Sequence, residues 1–290
     1  MLILAFIHCF LYIGFGLVSL PDGPQGPAGT ILMFDLLSNS QTGITYPEEH
    51  LGAFIAAFSP GGGSGIPQQQ FDPEANHQDS ATNEITITAQ IEEDGRVSTG
   101  RLETYGVWST AQSEEIKKCG YLEVRTTMPA KTDGQNFRGS WPGIWMLGTG
   151  NGFEWPKHGE VDIALVVNGF PDIEMSLHST NHYGGSAQHP PLSPLHDNTD
   201  LSRDPLIAGA EWNVPEDEGK VDLTWWISWF DQISQSWRKE NTTKSLIEEA
   251  DNDYLVFYSS FVTEGFSLII DLPEGGPMPG TNEILDGQPQ

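Results

Sequence analysis

Glu160 and Asp162 stand two residues apart in GEVDIALVV (159–167), a run whose apolar positions alternate as in a half-buried strand. On a strand, residues two apart point to one face. Two carboxylates held side by side repel each other, so one of them or a neighbour shifts in pKa, which is how acid/base sites are tuned. Just ahead lies SWPGIWMLGTGNGFEWPKH (140–158), which crowds Trp141, Trp145 and Trp155 against that strand. Indole faces are flat apolar platforms that match the C–H faces of a pyranose ring. The residues alone leave a second reading open: a core strand with two carboxylates at its edge and three buried indoles.

Downstream, DIEMSLHS (172–179) places Glu174 and His178 on one face of another alternating strand. Glu174 is thereby a further carboxylate near the pair, or a plain edge residue. His178, His182 and His189 straddle a strand end and a Gly/Pro loop with no cysteine to complete a set, so no metal site is identified. No phosphate-cradling glycine loop and no Ser-His-Asp elbow is present.

The elements that must position these residues are strands. ITITAQI (85–91), EEDG as a turn, RVSTGRLET, YLEVRTTMP (121–129), KVDLTWWISWF (220–230) and FSLIIDL (266–272) repeat the alternation. Many short strands joined by turn signals predict an all-β sandwich. The one helix candidate is SLIEEA (245–250). In TWWISWF, Trp225, Ile227 and Trp229 share one face and Trp226, Ser228 and Phe230 the other, with the sandwich core as the expected destination. We expect three segments: 1–20 as leader, 21–82 as a hard-to-read region that is partly linker, and 83–290 as the sandwich domain.

Composition narrows the partner. Asp plus Glu number 40 against 13 Lys plus Arg, for a formal net charge of −27, which excludes nucleic acid and disfavours anionic membrane surfaces. Residues 1–20 (MLILAFIHCFLYIGFGLVSL) carry no formal charge and read as a secretory signal peptide with a bare n-region. The run is also long enough for a membrane anchor, the only reading in which a membrane is a partner. A third reading is a mis-assigned start. The first two put the domain outside the cytosol, and secretion is the expectation. Asn241-Thr242-Thr243 is a glycosylation sequon in keeping with that setting. Cys9 leaves with the leader and Cys119 is then alone, so no intrachain disulfide is expected.

WPGIWML followed by GEVDI resembles glycoside hydrolase family 16, of the laminarinase-like, endo-β-1,3(4)-glucanase type. YGVWSTAQSEEIKKCGYLEVRTTMP, MSLHST and GFSLIIDLPEGGPMPG resemble further family segments in the same order, over roughly residues 85 to 290. The resemblance implies a concanavalin A-like β-jelly roll of two curved antiparallel sheets with a glycan cleft on the concave face. It implies an endo-acting, retaining hydrolase of β-1,3 or mixed-linkage β-glucan, monomeric and requiring no cofactor. Glu160 matches the nucleophile and Asp162 the carboxylate that tunes it. His178 would line the cleft, Trp141 and Trp155 would be sugar platforms, and Arg125 matches an arginine near the cleft floor. A structural calcium on the convex side is also implied, though no ligand for it can be picked out.

One departure bears on activity. Retaining glycosidases need two carboxyls about 5–5.5 Å apart. In the bulged form of the motif the acid/base falls at Leu165, and in the unbulged form at Ala164. Neither donates a proton, and positioned acid catalysis is worth about 10²–10⁴-fold. The alternative expectation is therefore a catalytically silent β-glucan-recognition protein. The sequence also ends at DGQPQ, where the family continues into one more strand, so a closing strand is expected to be missing.

Overall fold

The structure, a computed structural model, describes residues 9–11, 31–34, 50–51, 54–56, 59–60, 69–78, 85–93, 96–105, 109–112, 117–128, 139–150, 155–169, 172–180, 201, 204–215, 218–248 and 253–273. His182, His189 and the expected closing-strand region after residue 273 lie outside the described residues, as does most of the 1–20 leader. In chain order the strands of the two main sheets are β1 (His50–Leu51), β2 (Phe54–Ala56), β3 (Arg101–Glu103) and β4 (Cys119–Thr126). They continue with β5 (Gly143–Gly148), β6 (Glu160–Val166), β7 (Ile173–His178) and β8 (Leu206–Asn213). Last come β9 (Lys220–Asp231), β10 (Ser236–Ile247) and β11 (Phe266–Asp271). One sheet runs β7-β6-β5-β11-β3-β2-β1 and the other β4-β8-β9-β10, every neighbouring pair antiparallel.

The period-two pattern builds the core between the sheets. Ile144 and Met146 of β5, Val161 and Ile163 of β6, Met175 of β7 and Leu268 and Ile270 of β11 form one wall. Leu122 and Val124 of β4, Ala208, Ala210 and Trp212 of β8, and Trp225, Ile227 and Trp229 of β9 form the other. Their alternation partners face outward. On the smaller sheet Tyr121, Ile207 and Trp226 make a separate outer cluster with Trp237 beside it, roofed by Lys239 Nζ at 4.1 Å from the Trp226 ring. The expected split of TWWISWF is thus observed.

The helix falls elsewhere than expected. Residues 245–247 extend β10, paired through Lys220–Ile247 with β9. The α-helix is Tyr254–Ser259, continued by a π turn at Ser260–Glu264. Its aromatics hid it: Phe257 and Phe261 plug one end of the core, with the Phe261 ring 4.6 Å from Phe266 and 5.5 Å from Trp212. The expected boundary at 83 also does not bound the sheet, because β1 and β2 join it through β3. Strands of two and three residues are too short to show a period. Just ahead of β3, a Cβ at Gly100 would lie 2.6 Å from Asn76 Oδ1 and 3.0 Å from the Ala75 carbonyl, so a larger residue there would have to push its neighbours aside.

Among the described residues no helix is long and apolar enough to cross a membrane. Cys119 is a free thiol, its pKa pushed up by burial and by the Glu211 charge.

Candidate active site

A β-bulge in β6 sets the face of every residue that follows it. Against β5, Ile144 pairs with Ala164 and Trp145 with Asp162, skipping Ile163. Against β7, the pairing steps from Asp162–Ser176 to Leu165–Glu174, three residues on one strand for two on the other. Ile163 and Ala164 both turn into the core. Leu165 therefore comes round to the outer face with Glu160 and Asp162, buried but outside the core cluster. Of the two positions left open by the sequence, 165 shares the carboxylate face and 164 does not.

On that face β7 lies alongside, with Glu160 opposite His178, Asp162 opposite Ser176 and Leu165 opposite Glu174. Asp162 is 2 % exposed. Its Oδ2 accepts from Ser176 Oγ and from His178 Nε2 at 2.9 Å. His178 Nε2 also stands 3.5 Å from Glu160 Oε1. On the other side, Trp155 Nε1 donates to Glu160 Oε2 at 3.0 Å. Trp155 is 58 % exposed, and its ring lies 5.9 Å from the His178 ring. Glu160 is thus hydrogen-bonded through one oxygen to an open indole, with its other oxygen facing His178.

Burial pushes the Glu160 pKa well above the usual carboxylate range, and the Asp162 charge pushes it further. The Trp155 hydrogen bond works against this by favouring the ionised form, and the Asp271 charge adds to the rise. Removing the indole donor with Trp155→Phe raises the Glu160 pKa again. Any activity that needs Glu160 ionised should then have its acid limb moved to higher pH. A pH–kcat/KM profile of the two proteins measures this; an unmoved limb means the bond does not form in solution.

The family model for the XgeA-like catalytic domain of glycoside hydrolase family 16 matches residues 132–202, the stretch that holds β5, β6 and β7. No curated protein matches the sequence. Among solved structures, an endo-1,3-β-glucanase from Streptomyces sioyaensis superposes with TM-score 0.60 at 20 % identity, over 89 % of this chain and 90 % of that one. The laminarinase catalytic domain from Thermotoga maritima gives 0.53 at 22 %, over 82 % and 86 %. A laminarinase from Flavobacterium sp. gives 0.52 at 20 %, over 80 % and 85 %.

The chain has the β-jelly-roll fold of these structures.

Within this jelly roll the expected site residues do not all meet. Glu160, Asp162, His178 and Trp155 come together. Trp141 sits half-buried just ahead of β5, its backbone N–H donating to the Pro273 carbonyl at 3.0 Å. Arg125 goes to the opposite sheet. It alternates with the core residues Leu122 and Val124 on β4 and so points outward, its guanidinium 5.6 Å from the Trp237 ring. The expectation that Arg125 lies near the cleft floor is therefore corrected: odd positions of β4 face away from β6.

The arginine on the Glu160 face is Arg101, which the sequence reading missed. On β3 it is paired with Asp271 of β11. Its Nη1 stands 3.6 Å from Asp271 Oδ2, its Nε 3.2 Å from Glu103 Oε2, and its guanidinium 5.1 Å from the Trp145 ring. Trp145 Nε1 donates to Asp271 Oδ1 at 3.0 Å. Burial lifts Asp271 to a pKa of about 6, although Arg101 and the Trp145 bond hold it down. The available signal was a carboxylate closing the mostly apolar FSLII strand.

One oxygen each of Glu160 and Asp162 and a ring nitrogen of His178 lie within 4.8 Å of one another, close enough to hold a divalent cation. Among the described residues no other group of three His, Cys, Asp or Glu side chains converges in this way, so they offer no separate carboxylate cage for the implied calcium.

Proposed function

We propose that this protein holds a β-1,3 or mixed-linkage β-glucan across the outer face of the seven-stranded sheet and cleaves its O-glycosidic bonds within the chain. The observation that carries this reading is Glu160: a carboxylate held by Trp155 and flanked by His178, backed by Asp162, under an indole exposed enough to receive a sugar ring. The family match over the strands that build this face supports it, as does the glucanase fold. A neutral polysaccharide also suits a chain of net charge −27, and export guided by the apolar leader fits a polymeric substrate.

Leu165 favours a second reading, a silent β-glucan-recognition protein. An aliphatic side chain occupies the place where a retaining pair needs its second carboxyl. The two readings separate on a 2,4-dinitrophenyl β-laminaribioside, whose leaving group needs no proton, run beside laminarin binding. Turnover of the aryl glycoside establishes the hydrolase. Laminarin binding without turnover establishes the recognition protein. Neither binding nor turnover with any β-glucan rejects both.

A further inference from the structure

The proton donor missing at position 165 has a candidate one strand away. Glu174 is the direct cross-strand partner of Leu165. Directly opposed residues carry their Cβ atoms about 4.5–5.5 Å apart on the same face. Ile173 and Met175, its neighbours in β7, point into the core, so Glu174 shares the outer face with Ser176 and His178. It is half-buried rather than sealed, and among the described residues no hydrogen bond or ion pair holds its carboxyl. The other flank of Leu165 is Gly143, which has no side chain; a Cβ there would stand 2.7 Å from Leu165 Cδ2.

Asp271 is the rival carboxylate beyond Gly143. It is 4 % exposed, and both its oxygens are taken, by Trp145 and Arg101. It belongs to the floor of the site rather than to the surface a glycosidic oxygen would meet.

We infer that Glu174 supplies the catalytic proton in place of the residue at 165, with Glu160 as its partner on the other side of the scissile bond. This rests on the β-glucan reading above. The strand register carries it: neighbouring strands are about 4.8 Å apart, a gap that a glutamate side chain on β7 spans toward the place of Leu165. Glu174 gives its proton to the glycosidic oxygen as the C1–O bond breaks and its electron pair stays with that oxygen. A Glu160 oxygen forms the new bond to C1 from the opposite face. A water oxygen then displaces Glu160 from C1, and its proton passes to Glu174.

The test uses the full chain, with reducing-end release from laminarin beside dinitrophenol release from the aryl glycoside. Glu174→Gln should lose about 10²-fold or more in kcat/KM on laminarin, with a far smaller loss on the dinitrophenyl glycoside. Adding Leu165→Glu to Glu174→Gln should restore laminarin turnover. Two results overturn the inference and leave the glucan reading standing: undiminished laminarin turnover by Glu174→Gln, or turnover that appears only with Leu165→Glu. If neither the native protein nor the double variant binds or cleaves any β-glucan, the glucan reading itself falls and takes this inference with it.

Discussion

Glu160→Gln is expected to abolish turnover even of a dinitrophenyl glycoside, by at least about 10³-fold, and yet to make the folded protein more stable at neutral pH. Both effects come from one side chain. Glu160 must be ionised to attack the anomeric carbon or to take a proton from water, and the amide can do neither. Its folded-state pKa is raised above the ordinary value of 4.5, by burial first and by the Asp162 charge second. A carboxyl with a raised folded pKa contributes stability that is fully present below the unfolded value and is lost as pH rises through the folded value. At pH 8 the native protein therefore carries a buried charge that it lacks at pH 4. The glutamine keeps an oxygen for Trp155 Nε1 and removes the charge. Urea unfolding should show a gain of about 1 kcal/mol at pH 8, the usual scale for relieving a strained functional group, fading toward pH 4. A loss at pH 8 would mean that Glu160 is held ionised by a stronger partner than the structure contains.

Much of this site was legible in the sequence because period-two alternation survives locally. Glu160, Asp162, Glu174 and His178 fall on the faces their spacing assigns. What was not legible depends on register between distant segments. Arg101 meets Asp271 because β3 pairs with β11, a contact across 170 positions with no local mark. The motif around Arg125 carries no mark of the sheet its strand joins, and β4 lies in the other one. The bulge at Ile163 is one residue long, and only the pairing of β6 with both neighbours decides between Ala164 and Leu165. The helix at Tyr254–Ser259 was hidden by its composition, since aromatic residues signal strand and core alike.

Arg101→Ala is expected to be the most damaging single change on the site's floor, costing about 3 kcal/mol at pH 8. Asp271 is almost fully buried, and Arg101 is the cation that restrains its pKa at about 6. Losing one partner of a buried pair leaves the other charge uncompensated, which is why such changes cost more than the pair is worth. Asp271 can respond by keeping its proton, so the cost has a pH signature. Without Arg101 its folded pKa rises further. The stability it contributes, present at acid pH, is then lost over a window that begins near 6 and extends upward. The charge part of the loss should be small near pH 5 and grow as pH rises. The guanidinium also stacks over Phe71 at 5.3 Å and Trp145 at 5.1 Å, so a smaller, pH-independent loss from packing is expected beneath it. Arg101→Met keeps most of the packing and removes the charge; its loss should vanish near pH 5 while that of Arg101→Ala does not. A penalty equal at pH 5 and pH 8 in both variants would make Arg101 a packing residue and leave Asp271 dependent on Trp145 alone. The Arg101 charge also lowers the Glu160 pKa, so at a pH where Asp271 is ionised in both proteins the same substitution should also raise the acid limb of activity, tying the floor of the sheet to the chemistry on its surface.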